Sequence, residues 1–424
     1  MADRKFRILA LDGGGIRGVI SAKILERVQE KIGQPLNEYF DLIAGTSTGS
    51  ILAASIVLGK TPTELIDIYR NRGEEIFRAS FFQRKISYWL NQPKYSNDGL
   101  KKVLKEYFIH EDDDITIDNL REKSMIISRQ ENPNANPKAR LLILAYSTSQ
   151  RYTSFFLSPI VDENPWYKYA NLWEVCLSSA SAPTFFPPYK FDLDRNSLQN
   201  IGTGSPAEYT FVDGGVAANN PSLGALVHTL DIEKIDGEKI KLEDIALLSI
   251  GTGRTTEPLE FQEVNGWGAL NWASHIPDVF MGGQFQITAD LCSQLIRSVN
   301  PNGYLRIQLE MNNRYETRQG KRVRLDKNEQ VNAYTGQTLD EAMDRADKPH
   351  VDNIAFSNHK PLVMAFREIS SRVIAIPAPA QAHDTLQFLN HRKPKVKEHK
   401  KYYPHPPHSL PKFSHYVVPQ YCGK

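Results

Sequence analysis

The chain has 424 residues, of which 41% are hydrophobic and 24% charged, as in an ordinary soluble globular protein. Lysine and arginine total 51 against 49 acidic residues, so the formal net charge of +2 gives no reason to expect a nucleic-acid partner. Its 3 scattered cysteines exclude a disulfide framework and a zinc site.

The amino-terminal region lacks the pattern of a signal peptide, because its first residues are charged and a strand-like run begins at Phe6. The longest apolar run, Ile51 to Leu58, is far shorter than the ~20 residues that a helix needs to cross a bilayer. We therefore expect a cytoplasmic protein, whose contact with a membrane would be peripheral.

Predicted strands and helices alternate along most of the chain. A strand is predicted over 6–11, and apolar residues at helical spacing predict a helix over 20–31. A second strand is predicted over 39–44, followed by an apolar helix over 49–58. Further strands are predicted at 140–146, 153–157, 209–212, 245–250 and near 305–309. This order predicts an α/β fold, a three-layer α/β/α sandwich with a mostly parallel central sheet.

The carboxy-terminal segment has a different composition. It is rich in Pro, His and Lys, and residues 383–424 carry eight basic and two acidic side chains. We predict one folded domain over 6–375, with a motif-bearing core at about 8–225, and an extended or disordered basic tail over 376–424.

A Gly-Thr-Ser-Thr-Gly motif at 45–49 lies between a predicted strand and a predicted helix. A serine nucleophile needs a sharp strand-to-helix turn, in which small residues lie two positions before and after it. Gly45 and Gly49 fill those positions around Ser47. The helix dipole would also favour negative charge near Ser47. The motif therefore predicts a nucleophile elbow.

A glycine-rich loop, Gly13 to Gly18, follows the first predicted strand. A dinucleotide-binding fingerprint is one explanation, with Glu38 or Asp41 as its acidic residue. However, Asp41 lies within the strand that leads to the elbow, and two glycine loops at adjacent strand ends are better explained as one site. Amides of residues 14–15 would then face the oxyanion formed by attack from Ser47. Arg17 would fix the loop, add positive charge or form a surface salt bridge.

The general base is predicted from a second turn. Asp213 follows the strand-like run 209–212 and precedes Gly214 and Gly215, so it ends a strand at a tight turn. A carboxylate shielded from water has a raised pKa and could accept the Ser47 proton directly. The histidines outside the last quarter of the chain do not lie in glycine-flanked turns: His110, His228 and His275.

Together these motifs resemble those of the patatin-like phospholipases, over about residues 6–375. The matching stretches are Asp12–Gly18, Gly45–Gly49, Ser178–Pro188, Val212–Pro221 with its Asp-Gly-Gly at 213–215, and Ile250–Gly253.

The resemblance implies a hydrolase of lipid acyl esters, of the phospholipase A or galactolipase type, that uses a Ser–Asp dyad and no metal or organic cofactor. By position, Ser47 would be the nucleophile and Asp213 the proton acceptor. The substrate would be a membrane glycerolipid or another acyl ester. The oxyanion hole would come from the glycine loop: Gly13, Gly14, Gly15, Arg17 and Gly18.

Two aromatic segments are candidates for contact with lipid. Residues 77–95 interleave aromatic and basic side chains, as expected of an interfacial segment, and 267–285 could form a cap or acyl-chain wall. Ordinary core packing is the competing explanation for both segments.

The motifs are also compatible with three alternative functions. One is an α/β-hydrolase whose triad pairs Ser47 and Asp213 with His228 or His275. Another is a nucleotide-binding protein that uses the glycine loop. The third is a catalytically silent lipid-binding or interaction protein that has kept the fold.

Overall fold

The structure of the protein is a computed structural model. The structure describes residues 5–76, 92–111, 113–160, 165–191, 208–232, 238–254, 258–309, 315–318 and 321–324. The predicted tail over 376–424, its boundary with the domain, and most of the aromatic segment 77–95 lie outside the described residues.

Strands and helices alternate over much of the described chain. The strands are β1 (Phe6–Leu11), β2 (Leu42–Thr46), β3 (Ile109–His110), β4 (Asp113–Asp114), β5 (Arg140–Ser147), β6 (Tyr152–Ser158), β7 (Tyr189–Lys190), β8 (Thr210–Asp213), β9 (Ile245–Ile250), β10 (Tyr304–Ile307), β11 (Tyr315–Arg318) and β12 (Lys321–Arg324). The helices are α1 (Gly18–Ile32), α2 (Leu36–Tyr39), α3 (Thr48–Val57), α4 (Pro62–Ile76), α5 (Asp98–Tyr107), α6 (Leu120–Glu131), α7 (Leu172–Ala180), α8 (Gly215–Ala218), α9 (Ser222–Leu230), α10 (Phe261–Val264) and α11 (Ala269–Val299).

Eight strands form one central sheet in the order β10-β9-β1-β2-β5-β8-β7, and β6 also pairs with β5. The five strands from β10 to β5 run parallel to one another. Strands β6 and β8 run antiparallel to β5. The prediction of a mostly parallel sheet is therefore confirmed.

Both faces of the sheet are covered by helices. Ile8 and Leu42 on one face belong to an apolar cluster that includes Leu226 of α9 and Ile296 of α11. Helix α3 contacts β2 and β5, and helix α7 contacts β5; neither helix contributes a residue to that apolar cluster. Strand β1 is therefore buried from Ile8 to Leu11, and its Leu9 has no exposed surface. Truncating such a side chain to alanine typically costs about 2–5 kcal/mol. The predicted three-layer α/β/α architecture is confirmed.

The largest error in a predicted boundary is at the start of β2. The strand predicted over 39–44 begins at Leu42, because Tyr39 ends the short helix α2 that follows Pro35. The guanidinium of Arg7 lies 4.2 Å from the Tyr39 ring centroid, and the backbone amide of Arg7 donates to the Asp41 carboxylate at 2.8 Å. A continuous apolar run does not show where a helix gives way to a strand.

The sheet brings the carboxyl ends of β2 and β8 together. Thr46, the last residue of β2, pairs with Leu144 of β5, and Asp213, the last residue of β8, pairs with the next residue, Ala145. Strand β6 pairs with one edge of β5 from Leu141 to Ser147, so β2 and β8 both pair with the opposite edge of β5, one after the other. Because β2 runs parallel to β5 and β8 runs antiparallel to it, the carboxyl ends of β2 and β8 face each other.

Within the described ranges, no helix has both the length and the hydropathy of a membrane span.

Candidate active site

Ser47 occupies a strained turn between β2 and α3. Its backbone has φ 55° and ψ −126°, a left-handed conformation that is unfavourable for a residue other than glycine, by about 1–3 kcal/mol. A Cβ atom placed on Gly45 would lie 2.1 Å from the Gly49 carbonyl oxygen, and one on Gly49 would lie 2.1 Å from the Leu11 carbonyl oxygen. The turn therefore has no room for a side chain at either flanking position.

Hydrogen bonds hold this turn in place. The Ser47 amide donates to the Ser179 hydroxyl at 2.9 Å, and that hydroxyl donates to the Leu144 carbonyl of β5 at 2.6 Å. The Ser50 hydroxyl donates to the Ser47 carbonyl at 2.6 Å. A strained residue persists where its surroundings fix it in this way. Ser179 lies in one of the family-like stretches, but the sequence did not indicate this role.

Asp213 ends β8 and lies within hydrogen-bonding reach of the Ser47 hydroxyl. Its side chain is buried, and the Gly215 amide donates to Oδ1 at 2.7 Å. Its own amide donates to the Ser181 carbonyl at 3.0 Å. Burial raises the pKa of Asp213 from 3.8 to about 6, although the hydrogen bonds from Ser47 and Gly215 oppose the rise. The carboxylate is therefore ionised at neutral pH and is a stronger base than an exposed aspartate.

The two histidines of the alternative triad make different contacts. His228 packs its ring against Phe155, with centroids 4.7 Å apart. His275 places Nδ1 2.9 Å from the Asn271 carbonyl oxygen in its own helix. Among the described residues, the hydrogen-bond donors to Asp213 are the Ser47 hydroxyl and the Gly215 amide.

The glycine loop lies directly against Ser47. A Cβ atom placed on Gly13 would be 2.9 Å from the Ser47 Cβ and 2.3 Å from Asn219 Oδ1. The Gly13 amide donates to the Asn219 carbonyl at 3.1 Å, and Asn219 Nδ2 donates to the Gly13 carbonyl at 3.2 Å. The Thr252 hydroxyl donates to the same carbonyl at 2.8 Å. Asn219 and Thr252 thus clamp the loop beside the serine.

The hydrogen bonds of the loop narrow the predicted oxyanion hole. The amides of Gly13, Arg17 and Gly18 already donate to carbonyl groups, so they are not free to bind a ligand. Within the described part of the chain, the amides of Gly14 and Gly15 donate no hydrogen bond, and Gly15 is exposed. The five predicted residues therefore reduce to two candidate donors.

The acidic residue of the dinucleotide-binding alternative is engaged elsewhere. The carboxylate of Asp41 accepts a hydrogen bond from the amide of Arg7 and forms an ion pair with Lys138.

A buried ion pair anchors the start of the loop. Arg306 Nη1 donates to Asp12 Oδ1 at 2.8 Å, and Nη2 donates to Oδ2. Burial raises the pKa of Asp12, and the charge of Arg306 opposes that rise. Sequence reasoning missed Arg306, since a lone arginine in a strand-like run 294 residues away from Asp12 gives no local signal.

The turn after Asp213 is also closely packed, more tightly at Gly214 than at Gly215. A Cβ atom placed on Gly214 would lie 2.3 Å from the Leu144 carbonyl oxygen, and one on Gly215 would lie 3.3 Å from Met281 Cε. Met281 belongs to α11 and to the predicted cap segment 267–285. The role of that segment as a cap or acyl-chain wall stays a prediction.

Among the residues described, no cluster of three or more His, Cys, Asp or Glu side chains could hold a metal ion.

Comparison with known proteins identifies the family. The family model of patatin-like phospholipase matches residues 9–226, just over half of the chain, including Ser47 and Asp213. Patatin-like protein 2 of Arabidopsis thaliana is 29% identical over 332 residues, which cover 71% of this chain and 75% of the relative. Patatin-03 of Solanum tuberosum is 30% identical over 338 residues with the same coverage. Probable inactive patatin-3-Kuras 1 of Solanum tuberosum is 28% identical over 327 residues, covering 71% of this chain and 78% of the relative.

Among solved structures, VipD from Legionella pneumophila aligns with a TM-score of 0.38 and 11% identity, over 88% of this chain and 75% of that one. This likeness is too low to support a conclusion. The family model and the sequence relatives, by contrast, are sufficient: the chain belongs to the patatin-like phospholipase family.

Proposed function

We propose that the protein is a lipid acyl hydrolase that cleaves acyl esters through a Ser47–Asp213 dyad and an acyl-enzyme intermediate. The observation that carries the proposal is a buried carboxylate, its pKa raised to about 6, beside a serine in a strained strand-to-helix turn. Membership of the patatin-like phospholipases supports the lipid class of the substrate. A membrane glycerolipid, reached by peripheral contact, fits this class.

Acylation begins when Asp213 accepts the hydroxyl proton of Ser47. The Ser47 Oγ attacks the ester carbonyl carbon, and the carbonyl π electrons move to the oxygen, which becomes an oxyanion. The amides of Gly14 and Gly15 and the amino terminus of α3 face this developing charge. When the carbonyl re-forms, the bond to the alcohol oxygen breaks, and Asp213 returns its proton to that oxygen. The alcohol leaves, and the acyl group stays on Ser47.

Deacylation repeats these steps with water as the nucleophile. Asp213 accepts a proton from the water, and the resulting hydroxide attacks the acyl carbon. The second oxyanion collapses by releasing Ser47 Oγ, which takes the proton back from Asp213. The products are the fatty acid and the free enzyme, so one base serves both half-reactions.

The environment of Asp213 suits it to this role. A rise in pKa from 3.8 to about 6 strengthens the base by about 3 kcal/mol in proton affinity. At pH 7 the group is still mostly ionised, so most molecules hold the base in its active form. A general base works best when its pKa lies near the operating pH, and a histidine is not required for that.

The test compares wild type, Ser47→Ala and Asp213→Asn on a p-nitrophenyl ester and on phosphatidylcholine vesicles. A fluorophosphonate probe, which forms a covalent bond to an activated serine, gives a readout that does not depend on the lipid chosen. We expect the probe to label wild type but not Ser47→Ala, and both variants to lose turnover while they stay folded. Full turnover in Ser47→Ala would falsify the mechanism, whereas an active Asp213→Asn would exclude only the dyad.

A catalytically silent lipid-binding protein is the second candidate, since one relative is named as a probable inactive patatin. The fluorophosphonate experiment separates the two. A folded wild type that binds vesicles but is neither labelled nor hydrolytic would support the silent protein.

A further inference from the structure

The Asp12–Arg306 pair joins the glycine loop to the far part of the sheet. Asp12 directly follows β1, whereas Arg306 lies in β10, which is separated from β1 by β9. Asp12 is 1% exposed and Arg306 is 14% exposed. The guanidinium binds both carboxylate oxygens, which fixes the direction of the carboxylate as well as its position.

Arg306 also connects to the clamp around Gly13. Its Nη1 donates to the Ser249 hydroxyl at 2.7 Å. The Ser222 hydroxyl donates to that same Ser249 hydroxyl at 3.0 Å. Ser222 begins α9, directly after the turn that contains Asn219. One side chain thus ties together Asp12, strand β9 and the turn that holds Gly13.

The charge of Asp12 lies at the start of the loop that carries the candidate oxyanion hole. Gly14 and Gly15, the two candidate donors, are two and three residues further along the chain. An unpaired carboxylate here would oppose an oxyanion at those amides, since like charges in a poorly solvated site repel strongly. Arg306 supplies the compensating positive charge.

We propose that Arg306 is a positioning residue for the glycine loop. By neutralising Asp12, Arg306 holds the Gly14 and Gly15 amides towards the oxyanion that forms from the acyl ester. The inference rests on the proposed function. It also assigns a role in that reaction to a residue outside the range 9–226 that the family model matches.

The experiment measures the acylation rate constant with an activated ester in single-turnover mode, together with KM. It also measures the affinity of a trifluoromethyl ketone, to which Ser47 Oγ adds to form an oxyanion adduct. We expect Arg306→Met to slow acylation and weaken ketone binding by about 100-fold, as loss of an oxyanion donor does, with KM changed by less than about threefold. Arg306→Lys keeps the charge but loses the bidentate geometry, so we expect a loss on the order of tenfold.

Arg297→Met is the matched control. Arg297 donates Nη2 to the Tyr304 carbonyl of β10 at 3.2 Å but makes no contact with Asp12 among the described residues. It should leave acylation and ketone affinity unchanged. The double variant Asp12→Asn/Arg306→Met removes both charges and should recover at least about tenfold over Arg306→Met, because no unpaired carboxylate is left.

Thermal melting separates loss of positioning from loss of folding. If Arg306→Met does not fold, the acylation rate constants and ketone affinities of Arg306→Lys and Ser249→Ala test the inference instead, since neither variant leaves a buried unpaired charge. Folded Arg306 variants that acylate and bind the ketone as Arg297→Met does would overturn the inference. An inert wild type would overturn the proposed function, and this inference with it.

Discussion

Replacing Asp213 with asparagine should abolish hydrolysis and at the same time stabilise the fold. The carboxylate is held ionised in a buried position, 5% exposed, without a cationic partner among its hydrogen-bond donors. Asparagine has the same shape, and its Oδ1 can still accept the Gly215 amide, but it carries no charge to desolvate. The protein would therefore lose its base and gain stability.

The magnitude is set by the pKa of about 6 in the folded protein and 3.8 in the unfolded chain. Between these values the native state holds a proton that the unfolded state has lost, so stability falls as pH rises through the window. Below pH 3.8 both states are protonated and the effect vanishes. Above pH 6 the native state bears the full penalty of about 3 kcal/mol, because each pKa unit corresponds to about 1.36 kcal/mol.

The assay is urea unfolding of wild type and Asp213→Asn at two pH values. We expect the variant to be more stable by about 3 kcal/mol at pH 8 and by only about 1 kcal/mol at pH 4.5. Asp290→Asn, at an exposed position of α11, controls for the loss of one negative charge and should show no such dependence. The reasoning is refuted if the stability difference is the same at both pH values or if Asp213→Asn is the less stable protein at pH 8.

Three further outcomes test the site. The kcat/KM of wild type should rise with pH through about 6 as Asp213 ionises, and a profile that is flat from pH 5 to 8 would contradict its role as base. Gly49→Ala should lower the free energy of unfolding by roughly 1–3 kcal/mol, because its Cβ would lie 2.1 Å from a carbonyl oxygen of β1; unchanged urea unfolding would contradict the steric argument. His228→Ala and His275→Ala should keep wild-type turnover, and loss of turnover in either folded variant would favour the triad.

The strand–turn–helix around Ser47 could be predicted from sequence because its elements follow one another within a short stretch. The need for glycine at 45 is also local, since it arises from the Gly49 carbonyl of the same turn, whereas the need at 49 arises from the Leu11 carbonyl of β1, a tertiary contact. The buried strands of the sheet were also predictable, since parallel strands covered on both faces are continuous apolar runs. The wrong start of β2 came from the same rule, because Tyr39 and Phe40 extend the apolar run into a helix.

The meeting of Ser47 with Asp213 depends on strand register, which a single sequence does not contain. A strand end was predicted for Asp213, but its approach to Ser47 results from the antiparallel pairing of β8 beside β2 on the edge of β5. The clamp on Gly13 likewise comes from Asn219 and Thr252, which are 206 and 239 residues further along the chain. The Gly13 amide is engaged by this clamp, whereas the amides of Arg17 and Gly18 donate to carbonyl groups of the loop itself.

In the proposed dyad, which has no histidine, burial of Asp213 is responsible for the strength of the base. We infer that Met281 of α11 contributes to that burial: a Cβ atom placed on Gly215 would lie 3.0 Å from Asp213 Oδ1 and 3.3 Å from Met281 Cε, so both atoms lie near the same point. Met281→Ala should admit water beside the carboxylate and lower its pKa from about 6 towards the ordinary 3.8.

The lower pKa should be visible in two independent measurements. The acidic limb of the kcat/KM profile should move to lower pH in Met281→Ala, and the stability gained from Asp213→Asn at pH 8 should shrink when measured in that background. Met281→Leu retains an apolar side chain of similar volume and should leave both unchanged. If Met281→Ala lowers activity without moving the acidic limb, the residue shapes the substrate pocket and burial of Asp213 depends on other groups. A shift of both readouts together would show that the apolar wall of the site sets the strength of its base.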